Sequence, residues 1–205
     1  MGKISISFLN GNRNSQLKCF GIFLTLIIPL LIINELLPER KMIFFFLNLF
    51  TGILSWTYLE YHLHRFWTHT KNGGPKQGSF QRHIHHHKHP TEIKITFLQR
   101  LILVGISSLL FIISFVWNNY FTILTGFFIG FSYSFFSHWI LHQPGSNKIF
   151  PTLHRYHIYH HCKHPDKCFG FSTTLWDKIF GTIPSKQEKI SENIIQFYYG
   201  QHYHH

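Results

Sequence analysis

Ten histidines of this chain fall into four short clusters with spacings suited to metal coordination. The first is Glu60-x-x-x-His64-Arg65-x-x-x-His69, and the second holds His83-x-x-His86-His87. The third is His138-x-x-x-His142, and the fourth holds His157-x-x-His160-His161. Residues three and four apart share one face of a helix, so each cluster can aim several imidazoles at one point. His69 is the exception. Five residues after His64, it sits about 140° round an ideal helix, so the helix must end or bend there, or His69 serves a different ion. His62 and His69 would share a face in a straight helix, and helix geometry alone does not choose between His62 and His64. Ten imidazoles exceed the coordination of one ion. Two ions with about five ligands each would use them and leave positions open for water or dioxygen. All-nitrogen sites of that kind suit iron, copper or zinc.

The elements that must position these clusters are apolar. Phe20–Ile33, Met42–Leu59, Leu101–Trp117 and Tyr120–Ser137 contain no charged residue. With help from their flanks, each is about long enough to cross a hydrocarbon core. Buried helices of a soluble bundle would keep a polar face, and these keep almost none. Pro29 should kink the first. No small-residue cleavage pattern follows that run, so it reads as a retained span rather than a signal peptide. Residues 34–41 and 118–119 are short links, which folds the spans into two helical hairpins opening toward one side.

The cations agree with that reading. Lys and Arg number three before the first span, seven between spans two and three and seven after span four, against Arg40 and Lys41 in the short links. By the positive-inside rule, both termini and both large polar segments face the cytoplasm. Every one of the 18 histidines lies in 62–89 or 138–205, so all imidazoles emerge on that same face. The expected fold class is therefore all-α and integral membrane, four transmembrane helices in two hairpins with a cytoplasmic histidine-rich helical cap. It forms a single membrane domain over 1–205. Its parts are an N-terminal segment (1–19), a first hairpin (20–61), histidine boxes one and two (62–100), a second hairpin (101–141), a box and cap (142–190) and a tail (191–205).

Composition removes other classes. Charged residues make up 13% of the chain, too few to coat a soluble globule of 205 residues. The aromatic content excludes disorder. Three cysteines, Cys19, Cys162 and Cys168, cannot build a disulfide scaffold, and no CxxC pair suggests a zinc ribbon. The net charge of +11 is explained by topology and attraction to anionic lipid, without nucleic acid. A metal transporter would need polar ligands inside its spans, which hold little beyond Asn48 and scattered Ser or Thr. A membrane zinc protease would need HExxH, which is absent. The abundance of Ile, Lys, Asn and Phe points to an AT-rich genome; in a bacterium the membrane would be the inner one, in a eukaryote the endoplasmic reticulum.

The ordered set of boxes resembles the fatty acid hydroxylase / sterol desaturase superfamily of membrane non-haem di-iron enzymes. The matching text continues past the boxes with Phe169-Gly170-Phe171-Ser172-Thr173-Thr174 and Trp176-Asp177-Lys178-Ile179-Phe180-Gly181-Thr182, which is similar to the closing segment of fatty acid 2-hydroxylases. The resemblance covers about residues 42–183. It implies two iron ions, although zinc fits the same donors, with His64, His69, His83, His86, His87, His138, His142, His157, His160 and His161 as ligands. It implies dioxygen as co-substrate and insertion of one oxygen into a lipid acyl chain, most closely 2-hydroxylation of a fatty acid or sphingolipid acyl group. The runner-up within the superfamily is a sterol, carotenoid or other lipid hydroxylase or desaturase.

Glu60 and Arg65 are the charged residues nearest the first box and candidates to support its ligands; Glu60 could orient a ligand imidazole or form an ordinary interfacial salt bridge. Asp177 could orient the last box or cap a helix. His62, His85, His89, His154 and His164 depart from the pattern, and His202, His204 and His205 sit in the expected tail. No HPGG haem-attachment signature and no GxGxxG fingerprint occur, so electrons must come from a separate small carrier, a cytochrome or ferredoxin-like protein, for which a basic face is suited. The pattern carries no signal for oligomeric state.

Overall fold

The computed structural model describes residues 13–36, 42–69, 78–93, 95–116, 120–184 and 189–200. His202, His204, His205 and most of the two expected links lie outside them. The described residues form helices joined by turns and loops, with no strand: α1 (Arg13–Leu36), α2 (Met42–Leu63) running into a π turn (His64–Thr68), α3 (Gly78–Lys88), a 3-10 turn (Pro90–Glu92), α4 (Phe97–Val116), α5 (Tyr120–Leu141), α6 (Ser146–Ile149), α7 (Pro151–Cys162), α8 (Leu175–Ile179) and α9 (Glu192–Tyr199). Four helical stretches are long and apolar enough to cross a membrane: Arg13–Ile33, Met42–Thr68, Phe97–Val116 and Phe121–Leu141. Pro29 lies inside α1, which continues through it as α-helix.

Contacts divide the chain into two compact units. One comprises residues 17–60 and 95–136 and holds most of the four long helices. Here α2 and α5 are the inner pair: 39% and 33% of their apolar windows are buried, against 11% for α1 and α4. Their backbones touch. A Cβ on Gly52 would lie 2.0 Å from the Ile123 carbonyl oxygen, and one on Gly126 would lie 2.1 Å from that of Leu49. Small residues permit such close crossings, where van der Waals packing rather than hydrophobic burial drives association in lipid. The Trp56 indole donates to Ser134 Oγ at 2.7 Å, Ser107 and Ser132 pair at 2.9 Å, and Thr125 Oγ1 donates to the Leu110 carbonyl at 3.1 Å. The outer faces of α1 and α4 expose Leu26, Ile28, Ile32, Val104, Leu109, Ile112 and Phe115, which suits hydrocarbon and not water.

The other unit comprises residues 1–16, 61–94 and 137–205, of which the described parts hold the π turn, α3 and α6 to α9. Pro90 follows the end of α3, and Pro151 opens α7 at its first turn, where a missing N–H costs nothing. Tyr156, Tyr159 and Cys168 form a buried cluster against which Ile183 and Ile190 pack. The segment from 191, expected as tail, contains α9, and Tyr198 within it is fully buried.

Candidate metal centre

All ten clustered histidines lie in this second unit, and they gather into two groups of five. His64, His69, His83, His87 and His160 form one; His86, His138, His142, His157 and His161 form the other. In each, the five candidate ligand atoms lie within 4.8 Å of one another.

Local helix geometry explains the partition. The π turn closes i→i+5 contacts, so His69 comes back under His64 instead of pointing away. Thr68 Oγ1 supports the widened turn by donating to the His64 carbonyl at 2.7 Å. That choice selects His64, while His62 packs against the Phe66 ring. The two HxxHH motifs do not each serve one site. On α3, His83 and His87 are i, i+4 and enter the first group, whereas His86 enters the second. On α7 the roles are exchanged: His157 and His161 enter the second group and His160 the first. Each group thus takes a pair from the end of a long helix, a pair from one HxxHH and a single ring from the other. Where the groups meet, His87 and His161 stack with ring centroids 4.2 Å apart.

Hydrogen bonding alone does not account for the nitrogens. His83 Nε2 faces His64 Nε2 at 3.1 Å, His69 Nε2 at 2.7 Å and His87 Nε2 at 2.9 Å. A neutral ring nitrogen offers one N–H or one lone pair, not three bonds. Moreover, His64 Nδ1 bonds the Phe169 carbonyl and His160 Nδ1 bonds the Lys167 carbonyl at 2.7 Å. A carbonyl only accepts, so both Nδ1 carry protons and both Nε2 present lone pairs inward. Ligands at about 2.1 Å from a common ion and at right angles stand about 3.0 Å apart, and the inward nitrogens have that spacing. In the second group, His86 and His138 Nε2 lie 3.2 Å apart and His142 and His157 Nε2 2.9 Å apart. The buried Nδ1 of His142 and His157 and both ring nitrogens of His161 make no hydrogen bond among the described residues. This donor set fits a pair of transition-metal ions.

Of the charged residues singled out, Asp177 is inside α8 and is not its cap. Its Oδ1 accepts from the Phe169 amide at 2.9 Å and Thr182 Oγ1 at 2.6 Å, and its Oδ2 accepts from the Gly170 amide at 2.8 Å. It therefore braces the loop whose Phe169 carbonyl holds His64. Arg65 donates to Tyr61 Oη at 2.8 Å, and Tyr61 Oη bonds Thr182 Oγ1 at 3.1 Å, which extends the same chain. Glu60 is buried on α2 in the first unit, within electrostatic reach of Tyr133.

His85 on the exposed side of α3 and His89 just past its end stand beside Glu92, and His154 bonds Tyr199 Oη; none joins a group. His164 stands beside the Tyr159 ring. Sequence reasoning missed the Phe169 and Lys167 carbonyls, which carry no residue signal. It also missed Phe171 and Tyr198, whose rings stack on His138 and His142. An aromatic-rich run after Ser191-Glu192 was the available sign of a packed helix.

Burial holds the imidazoles neutral. Desolvation first, and then neighbouring imidazoles, lower His69, His83, His87, His142, His157, His160 and His161 well below the ordinary histidine value; His86 falls to about 4. Burial pushes Asp177 the other way, up to about 6, against the pull of its three donors and of Arg65. For the histidines the unfolded chain binds more protons below 6.5, so their contribution to stability is present above that pH and is lost as pH falls toward about 4. Asp177 has the opposite sign, its contribution lost as pH rises through about 6, but it is one group against many. The metal-free protein in detergent is therefore expected to show a falling unfolding temperature from pH 6.5 to 4. A flat profile over that window would contradict neutral buried imidazoles.

A family model described as fatty acid hydroxylase matches residues 49–182. A dihydroceramide fatty acyl 2-hydroxylase of Arabidopsis thaliana is 36% identical over 141 residues, covering 65% of this chain and 59% of its own length. A fatty acid 2-hydroxylase of Macaca fascicularis is 30% identical over 148 residues, covering 66% of this chain and 39% of its own. The chain thus spans about three-fifths of the plant relative. A solved structure of full-length scs7p, with only the hydroxylase domain visible, aligns over 91% of this chain and 71% of that one at 20% identity and a TM-score of 0.48. The matched segment contains every histidine of both groups together with Asp177, and the chain belongs to the fatty acid hydroxylase family.

Proposed function

We propose that the chain is a membrane oxidoreductase that inserts one oxygen atom from dioxygen into a lipid acyl chain, at the carbon next to the carbonyl. The observation that carries this reading is the pair of five-histidine groups, each drawing on both HxxHH helices. Relatives named as dihydroceramide fatty acyl and fatty acid 2-hydroxylases support the choice of substrate and carbon. Two iron ions are the proposed occupants, the first held by His64, His69, His83, His87 and His160, the second by His86, His138, His142, His157 and His161. When bound, such ions supply the activation of dioxygen that oxidation of a C–H bond to C–OH requires, because acid–base groups bring no oxidant.

The chain's own residues do the rest. Neutral imidazoles offer lone pairs without first losing protons. The Phe169 and Lys167 carbonyls fix which nitrogen does so on His64 and His160. Phe169, Phe171 and Tyr198 pack against the imidazole rings and keep water from them. The overall reaction takes R–H, dioxygen, two electrons and two protons to R–OH and water, so a reductant is needed; a separate small acidic carrier docking on the basic polar face is the proposed source. The proposed topology places both termini and both metal groups on the cytoplasmic side, with α1–α2 and α4–α5 as two hairpins. The α2 stretch of 27 residues, about 40 Å of helix, supports this, because it outruns a hydrocarbon core of about 30 Å and leaves its histidine end beyond it.

Lipid mass spectrometry of membranes from cells making the chain together with an electron donor tests the reading, beside His86→Ala and His160→Ala. A histidine-dependent gain of one oxygen on acyl chains, at the carbon next to the carbonyl, is expected. Loss of two hydrogens, or oxygen on a sterol or carotenoid, would move the activity to another branch of the superfamily. Identical lipids with and without the histidines would overturn it.

A further inference from the structure

The two metal groups are braced differently. In the first, backbone carbonyls hold Nδ1 of His64 and His160. In the second, Nδ1 of His142, His157 and His161 makes no such bond among the described residues, a lack that only His87 is shown to share in the first. An imidazole without a bond at its outer nitrogen is free to rotate about its ring axis unless packing stops it, and outer partners ordinarily set ligand orientation.

What stands against these three rings is Tyr198 of α9. Its ring stacks on His142 with centroids 4.9 Å apart and planes at 20°, and it meets His161 edge-on at 5.6 Å and His157 at 6.3 Å. Tyr198 is fully buried, and its hydroxyl donates to the Leu141 carbonyl at 3.1 Å, the residue before His142. The neighbouring Tyr199 Oη pairs with Ser146 Oγ at 3.2 Å and with His154, tying α9 to α6 and α7. Gly200 approaches Thr91 in the 3-10 turn after α3, where an added Cβ would stand 3.7 Å from the Thr91 methyl. The family match ends at residue 182, so α9 at Glu192–Tyr199 lies beyond it.

We propose that Tyr198 is a positioning residue of the second metal group, its ring taking the place of a hydrogen-bonded partner for His142, His157 and His161. The inference rests on the two-ion reading above. The aromatic face fixes the plane of His142, the edge contacts limit the other two rings, and the phenol hydroxyl anchors the tyrosine to the backbone that carries His142. Removing the ring loosens three of five ligands in one group and none in the other.

The test is titration of the purified, metal-free protein in detergent with ferrous iron alone, without oxygen, reading bound iron per chain. The unaltered chain takes up two ions. Tyr198→Ala is expected to keep one at unchanged affinity and to bind the other about 10–100-fold more weakly, the range seen when an outer partner of a ligand is removed. Tyr198→Phe keeps the stack and is expected to restore most of the affinity. Added to His138→Ala, which already empties the second group, Tyr198→Ala should change nothing further. Should Tyr198→Ala fail to fold, Tyr198→Leu keeps apolar volume without a ring plane and takes its place. Two ions bound as tightly in the ring-less variant as in the parent chain would overturn the proposal, as would equal weakening of both. Fewer than two ions on the unaltered chain would instead overturn the two-ion reading itself, and the positioning role with it.

Discussion

Alanine at His83 and alanine at His86 are expected to remove different metal ions, although the two residues are one helical turn apart. His83 Nε2 is central to the first group, facing His64, His69 and His87 at 2.7–3.1 Å. His86 belongs to the second group, 3.2 Å from His138. Each substitution deletes one of five donors and leaves the other set complete. The loss should exceed the about 10–100-fold that removing an outer partner costs, so each variant retains one ion per chain on purification. His83→Ala combined with His86→Ala retains none. His85→Ala, between them on the exposed side, retains both. Metal analysis of the purified proteins reads all four outcomes. Hydroxylated product should fall to background in either single variant, because the proposed chemistry needs both ions. Loss of both ions from each single variant would mean one cooperative cluster and would refute the partition. Loss of an ion from His85→Ala would refute the assignment of ligands on α3.

Why the sequence revealed the ten residues but not their division is a matter of helix geometry. The four long helices were legible because runs such as Leu101–Trp117 hold no charge, and the structure extends them only into their flanks. The ten histidines were legible because i, i+4 spacing is a local property. Their division depends on how α3 and α7 are rotated, and an HxxHH motif has one ring, His86 or His160, directed differently from its i, i+4 pair. His69 is out of phase with His64 on an α-helix, and the remedy, a π turn over His64–Thr68, has no residue signature. Asp177 stands out as a charge in the Trp176–Thr182 segment, but two of its three donors are backbone amides, which leave no residue signature. Tyr198 carries no sequence signal of its own, because a short run of Ile and aromatic residues reads equally as tail or as packed helix until the neighbour it covers is known.

Loss of the Asp177 carboxylate is expected to weaken the first metal group through a loop, without any direct contact with an ion. Asp177 is fully buried and accepts from the Phe169 amide, the Gly170 amide and Thr182 Oγ1. Alanine there leaves three buried donors unpaired, at about 1–3 kcal/mol for each one, so a total loss on the order of 3–9 kcal/mol is expected, at the low end if Thr182 turns to another acceptor. Asparagine keeps one acceptor oxygen but turns an NH2 toward an amide N–H, and about 1–3 kcal/mol is expected. The functional consequence runs through Phe169, whose amide Asp177 holds and whose carbonyl holds His64. If that carbonyl swings away, His64 loses its fixed tautomer and orientation, and iron affinity of the first group should drop by about 10–100-fold while the second group is unchanged. Gly170→Ala should give the same pattern by another route. Its Cβ would stand 2.1 Å from the Thr173 carbonyl oxygen, and that clash with backbone forces the loop to move. Ferrous titration of Asp177→Asn and Gly170→Ala, beside thermal unfolding, separates the two effects. Selective weakening of one ion with modest loss of stability fits the brace. Stability loss with both ions bound at parental affinity would make Asp177 a fold residue with no hold on the metal centre.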